Sequence, residues 1–166
     1  MIHRRQRHLP ARGAVALLVA AAVLAGCASY SGTAAQKVQQ WVSQNSFVAN
    51  HDQLVSDITL VDKAVKGGSA KVVRTICGGL ASDAGTAYTT LPTPDPTLTN
   101  DLNDADTTLA TAATSCSAVR SVSSSTMSKD IALFRAGIGD LRKAQAVLAS
   151  LGVTWKIPPV TMMLGR

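Results

Sequence analysis

DPTLTNDLNDADTTLATAATSC, residues 95–116, decides the fold. Asp95 offers a side-chain oxygen to the free N–H groups of a first helical turn, and Pro96 follows where a missing N–H costs nothing. Leu98, Leu102, Ala105, Leu109, Ala112, Cys116 and then Val119 recur at alternating steps of four and three, which places them on one face of an α-helix. The intervening Thr, Asn and Asp residues form an opposite face suited to water.

Reading outward, the same period returns on both sides. Upstream, Ser69 caps a helix carrying Val73, Ile76, Cys77, Leu80, Ala84, Ala87, Tyr88 and Leu91, which must stop before Leu91-Pro92-Thr93-Pro94-Asp95-Pro96. Before that, Asn50 is positioned as an N-cap for Leu54, Ile58, Val61 and Val65, with Gly67-Gly68 as the stop. A first helix over residues 34–48 is carried by Ala34, Val38, Trp41 and Val42. Downstream, Ser121 to Ser125 read as a connection and cap, and Ile131, Phe134, Ile138, Leu141, Ala144 and Leu148 mark a last helix ending at Gly152. Residues 153–166, with Pro158-Pro159, read as an extended or disordered tail from which Trp155 docks back. The pattern therefore predicts an all-α, up-and-down bundle of four to five helices over 34–152, and the repeated 3–4 spacing disfavours sheets.

The N-terminus is of another kind. Arg4, Arg5, Arg7 and Arg12 precede thirteen apolar residues, Gly13 to Ala25. Such a run spans only about 20 Å as a helix, short of a hydrocarbon core of roughly 30 Å, so it reads as a removable secretory signal. At its end stands Leu24-Ala25-Gly26-Cys27, which resembles the lipobox of bacterial lipoproteins. The resemblance implies cleavage of the Gly26–Cys27 bond, removal of residues 1–26, and acyl chains on the Cys27 thiol that hold the chain to the outer face of the cytoplasmic membrane. The competing reading is ordinary signal cleavage after Ala28. Residues 27–33 then form a short polar tether, expected to be flexible. In composition and layout, residues 27–166 resemble the small Ala- and Thr-rich helical lipoproteins of high-GC Gram-positive bacteria, a likeness that implies no catalytic residues.

With Cys27 given to lipid, Cys77 and Cys116 remain in a compartment that permits oxidation, and a disulfide between the third and fourth helices is expected. Buried free thiols or a redox pair are the alternatives, the latter lacking a Cys-x-x-Cys spacing. Four arginines of the signal account for the apparent basicity: of 16 Lys and Arg, 12 follow residue 27, against ten Asp. The near-neutral remainder gives no argument for nucleic acid.

No Glu is present, and His51 is the one histidine beyond the signal, so Glu-based acid–base pairs and multi-histidine metal sites are excluded. His51-Asp52 lacks a nucleophile motif and reads as a solvated or capping pair at a helix start. Asp101, Asn103, Asp104 and Asp106 fail the calcium-loop pattern at Ala105, Asp106 and Ala112, and acids early in a helix suit its dipole. Gly67-Gly68-Ser69 reads as a helix stop followed by a cap, without the Lys-Ser/Thr of a phosphate loop. Gly78, Gly79, Gly137 and Gly139 lie inside helices, where each costs about 0.5–1 kcal/mol against Ala. Close helix approach is the plain account, and a small crevice for a ligand or partner the sharper one. Thr89 to Thr97 has the Thr/Pro composition of glycosylated segments, though a simple connection suffices.

The functional expectation is a lipid-anchored, extracytoplasmic, non-catalytic module that binds an envelope protein and uses no cofactor or metal. The alternative is a carrier or sensor of a small apolar ligand held between helices.

Overall fold

The computed structural model describes residues 30–158 and 160. The expected signal segment, Gly26 and Cys27 lie outside the described residues. The described residues form five helices, α1 (Ala34–Gln44), α2 (Phe47–Lys66), α3 (Ala70–Tyr88), α4 (Pro96–Cys116) and α5 (Ser124–Ser150). No strand occurs among the described residues. Each helix packs chiefly on its predecessor and successor, most extensively α4 on α5 and on α3, so the bundle is all-α and runs up and down as its periodicity requires.

The caps explain most boundaries. The Asp95 carboxylate accepts from the Leu98 N–H at 2.8 Å, with Pro96 at the helix start. Ser69 accepts from Val72 N–H, and Gly68 just before it takes φ +72°, so the glycine stop and serine cap act together. Ser123 opens α5 through a capping box with Thr126.

Two boundaries differ from expectation. The first helix does not run to residue 48: it ends at Gln44, and Ser46 adopts a left-handed conformation at φ 52° before α2 begins at Phe47. This corner brings the Trp41 and Phe47 rings to 5.0 Å, and Asn50 lies inside α2 rather than capping it. Residues 30–33, expected to be part of a flexible tether, are held in place. Ser31 and Gln40 exchange two hydrogen bonds, Asn45 Nδ2 donates to the Tyr30 hydroxyl at 2.8 Å, and Thr33 caps α1. Residues 30–33 thus fold back along α1.

Cys77 and Cys116 are joined across α3 and α4, with Cα atoms 5.9 Å apart. Cys77 lies 11 residues before the end of α3 and Cys116 20 residues beyond the start of α4, an offset of roughly 13 Å in ideal helices. The connection 89–95 absorbs it and is tied down from within. Thr93 is buried; its N–H donates to Thr99 Oγ1 at 2.9 Å and its hydroxyl to Asp95 O at 2.6 Å. Trp41 Nε1 donates to Thr90 O at 3.1 Å, fastening α1 to the same connection.

Beyond α5 the chain is irregular, as expected, yet it is not loose. Val153 and Trp155 are buried, Trp155 Nε1 donates to Asp52 Oδ1 at 3.0 Å, and Gln145 Nε2 donates to Trp155 O at 2.6 Å.

The four helical glycines singled out from the sequence separate. A Cβ at Gly137 would lie 2.7 Å from Leu109 Cγ and Cδ2 and 3.3 Å from Ala105 O, so α4 and α5 meet closely there. A Cβ at Gly78, Gly79 or Gly139 would meet nothing within 4 Å, which corrects the expectation of close approach at those three positions: their hydrogens face open space. Gly137→Ala is therefore expected to lower the unfolding free energy by about 1–3 kcal/mol through overpacking. Urea denaturation checks this; a variant as stable as the parent would show that Leu109 yields freely.

Candidate functional site

The stripe of α2 reads Phe47, His51, Leu54, Ile58, Val61, Val65, and every member is buried. His51 thus occupies a core position, which corrects its expected place at a solvated helix start. Its ring packs against Phe47 at 4.4 Å, tilted by 37°, and meets Trp155 edge-on at 5.7 Å. Nδ1 lies 3.0 Å from Phe47 O. A carbonyl only accepts, so Nδ1 carries hydrogen and donates it.

The other ring nitrogen, Nε2, faces Asp106 Oδ1 at 3.4 Å with both side chains fully enclosed. Asp106 is likewise in phase with its helix, between Leu102 and Leu109, and is buried with them. That corrects the reading of Asp106 as one of several solvated early-helix acids. The distance suits an ion pair, but no hydrogen bond closes on Nε2 or on either carboxylate oxygen. An enclosed carboxylate on which no hydrogen bond closes is costly to bury.

Asp106 also belongs to the wall of an open groove of about 560 Å³ between α3 and α4. Ala84 and Gly85 form one side with Tyr88, which is 50% exposed, and Thr107, Ala110, Thr111, Thr114 and Ser115 form the other. The lining is mainly apolar because small side chains and threonine methyls present themselves. Gly85 leaves room, a Cβ there meeting nothing within 4 Å. A smaller hollow of about 410 Å³ lies beside the tail, bounded by Arg142, Gln145, Gly152 and Trp155.

A second acidic contact joins α2 to α3. Asp57 is lifted from the ordinary carboxylate range to about 6, first by burial, then by a hydrogen bond with Asp83 and that group's charge, with Gln53 Nε2 at 3.0 Å acting the other way. The folded form thus holds a proton that the unfolded chain releases near 3.8. The associated stability is complete below that value and disappears as pH rises through about 6. Asp57→Asn, which needs no proton, is expected to gain on the parent between pH 4 and pH 7, by on the order of 2 kcal/mol. Parallel denaturation curves at the two pH values check it; an unchanged difference would refute the shared proton.

Of the residues singled out from sequence, Cys77 and Cys116 are brought together, Gly137 makes a close contact, and Gly26 and Cys27 lie outside the described residues. Asp52 is drawn away from His51 to bond Trp155. Among the described residues, no three or more His, Cys, Asp or Glu cluster as metal ligands, and no helix is long and apolar enough to cross a membrane. Sequence reasoning missed Tyr88 and the threonines of the groove, whose significance arises only when two helices are set side by side. Comparison with known proteins finds no matching family model, curated protein or solved structure.

Proposed function

We propose that this protein is a non-catalytic binding module of the cell envelope, held to the outer face of the cytoplasmic membrane by lipid on Cys27, with the groove between α3 and α4 as its binding face. The observation that carries the reading is the open, mainly apolar groove between α3 and α4. An open groove suits a partner's protruding side chains or helix. The second reading, a small apolar ligand, draws on the same small side chains, Ala84, Gly85 and Ala110.

The test is native mass spectrometry of the protein extracted from its membrane in mild detergent, beside a Thr111→Trp variant that fills the groove from an exposed position. A diacyl mass on Cys27 with a second polypeptide, lost in the variant, supports the module. A small molecule lost in the variant supports the carrier. An unlipidated chain starting at Ser29 defeats the anchor, and a partner retained equally by the variant defeats the groove.

A further inference from the structure

We propose that the end of the bundle formed by the α2–α3 turn and the α4–α5 connection binds a flexible anionic polymer bearing phosphate or carboxylate groups. The inference goes beyond the groove, and takes from the lipid anchor only the direction in which this end faces.

Charge is segregated along the bundle. The up-and-down course sets residues 67–69 beside residues 117–123, and Arg74 Nη1 donates to Val119 O at 3.0 Å across them. Around this end stand Lys63, Lys66, Lys71, Arg74, Arg120 and Lys129, all exposed. The acids within the same stretches, Asp62 and Asp130, are buried, and Asp62 is paired with Lys66. Five exposed cations thus face water with no exposed carboxylate among them, although the chain after residue 27 is close to neutral. It is the acids that are segregated: Asp52, Asp95, Asp101, Asp104 and Asp140 lie toward the other end, there accompanied by Arg142, Lys143 and Lys156.

Lys63 and Lys66 lie in the last turn of α2, where its dipole favours a cation, but Lys71 is placed against its own helix. Lys71 lies in the first turn of α3, which has no acidic residue there, and the N-terminal end of a helix disfavours a cation. Like charges gathered at one end repel, and their favourable use is to meet an anion. The patch is built mostly of lysines, compact point charges on flexible stems, with no aromatic side chain between them. That chemistry fits the repeated charges of a mobile polymer better than a protein interface, which centres on Trp, Tyr and Arg anchors.

The lipid, where present, enters at the opposite end. Tyr30 is fixed to Asn45 at the α1–α2 corner, and the three residues back to Cys27 reach at most about 10 Å. The 20 residues of α2 separate that corner from the basic end by about 30 Å. The basic end therefore points away from the membrane that holds the chain.

The test uses the full-length chain in nonionic detergent, titrated with inorganic polyphosphate, with polyglutamate, and with phosphatidylglycerol vesicles. Lys63→Gln/Lys71→Gln/Arg120→Gln/Lys129→Gln is compared with a control at other positions, Lys37→Gln/Arg142→Gln/Lys156→Gln. Polymer affinity is expected to fall steeply with salt, to drop about tenfold or more in the first variant, and to change less than about twofold in the control. Lysine acetylation of the parent chain gives a second measurement: polymer should protect Lys63, Lys71 and Lys129 but not Lys37 or Lys156. Preference for polyphosphate or for polyglutamate identifies the anion. No binding, equal loss in both variants, protection at the wrong lysines, or preference for the vesicles overturns the proposal. None of these results depends on lipid at Cys27 or on Thr111, so the earlier reading stands or fails separately.

Discussion

Asp106→Ala is expected to lower the unfolding free energy by about 3–5 kcal/mol, the cost of leaving one member of a buried pair without its partner. His51 would retain its bond to Phe47 O, but Nε2 would face a cavity among Leu102, Leu109 and the aromatic rings. The informative variant is His51→Leu/Asp106→Leu, which removes both polar groups at similar bulk. It is expected to recover most of the loss, because a buried pair is strongly destabilising to halve and much less so to remove. Urea denaturation of the four members of the cycle measures this. A single variant that costs less than about 1 kcal/mol would mean that the two groups do not depend on one another.

Cys77→Ala/Cys116→Ala is the second large expected effect. The bridge spans a sequence separation of 39, and a loop of that length contributes about 3–4 kcal/mol by constraining the unfolded chain. Both positions are completely buried among aliphatic side chains, so the pair of alanines adds a smaller cost in lost packing. Denaturation of the variant, and of the parent with and without reductant, separates these contributions. Equal stability of oxidised and reduced parent would assign the effect to packing alone.

The bundle was legible because its caps and stripes agree. Asp95-Pro96 sets the phase of α4, and Cys116 falls in that phase just as Cys77 falls in the phase of α3. The corner at Ser46 was not legible: serine carries no strong preference for the left-handed conformation, and tertiary packing of Trp41 on Phe47 selects it. His51 and Asp106 were misread because a polar residue was assigned to solvent by type. Their spacing held the better signal. Phe47 and His51 continue backwards the 4–3–4 steps of Leu54, Ile58, Val61 and Val65, and Asp106 falls four after Leu102 and three before Leu109. A polar side chain in phase with an apolar stripe is a prediction of a buried partner across the core. The groove had no such signal, since α4's small residues take their meaning from Ala84, Gly85 and Tyr88 on α3. The basic end was hidden by the net charge, which sums what the fold separates.

The docking of Trp155 on Asp52 also bears on how the chain folds. The helix-to-helix contacts are chiefly between consecutive helices, so much of the native structure requires only short loops to close, a topology that folds rapidly. The bond between Trp155 and Asp52 joins residues 103 apart and cannot bring its two ends into register until α2, α3, α4 and α5 are stacked. The tail is therefore the clasp on the stack, tying the start of α2 to the residues beyond α5, and the entry of the Trp155 indole beside Phe47 and His51 is expected late in folding.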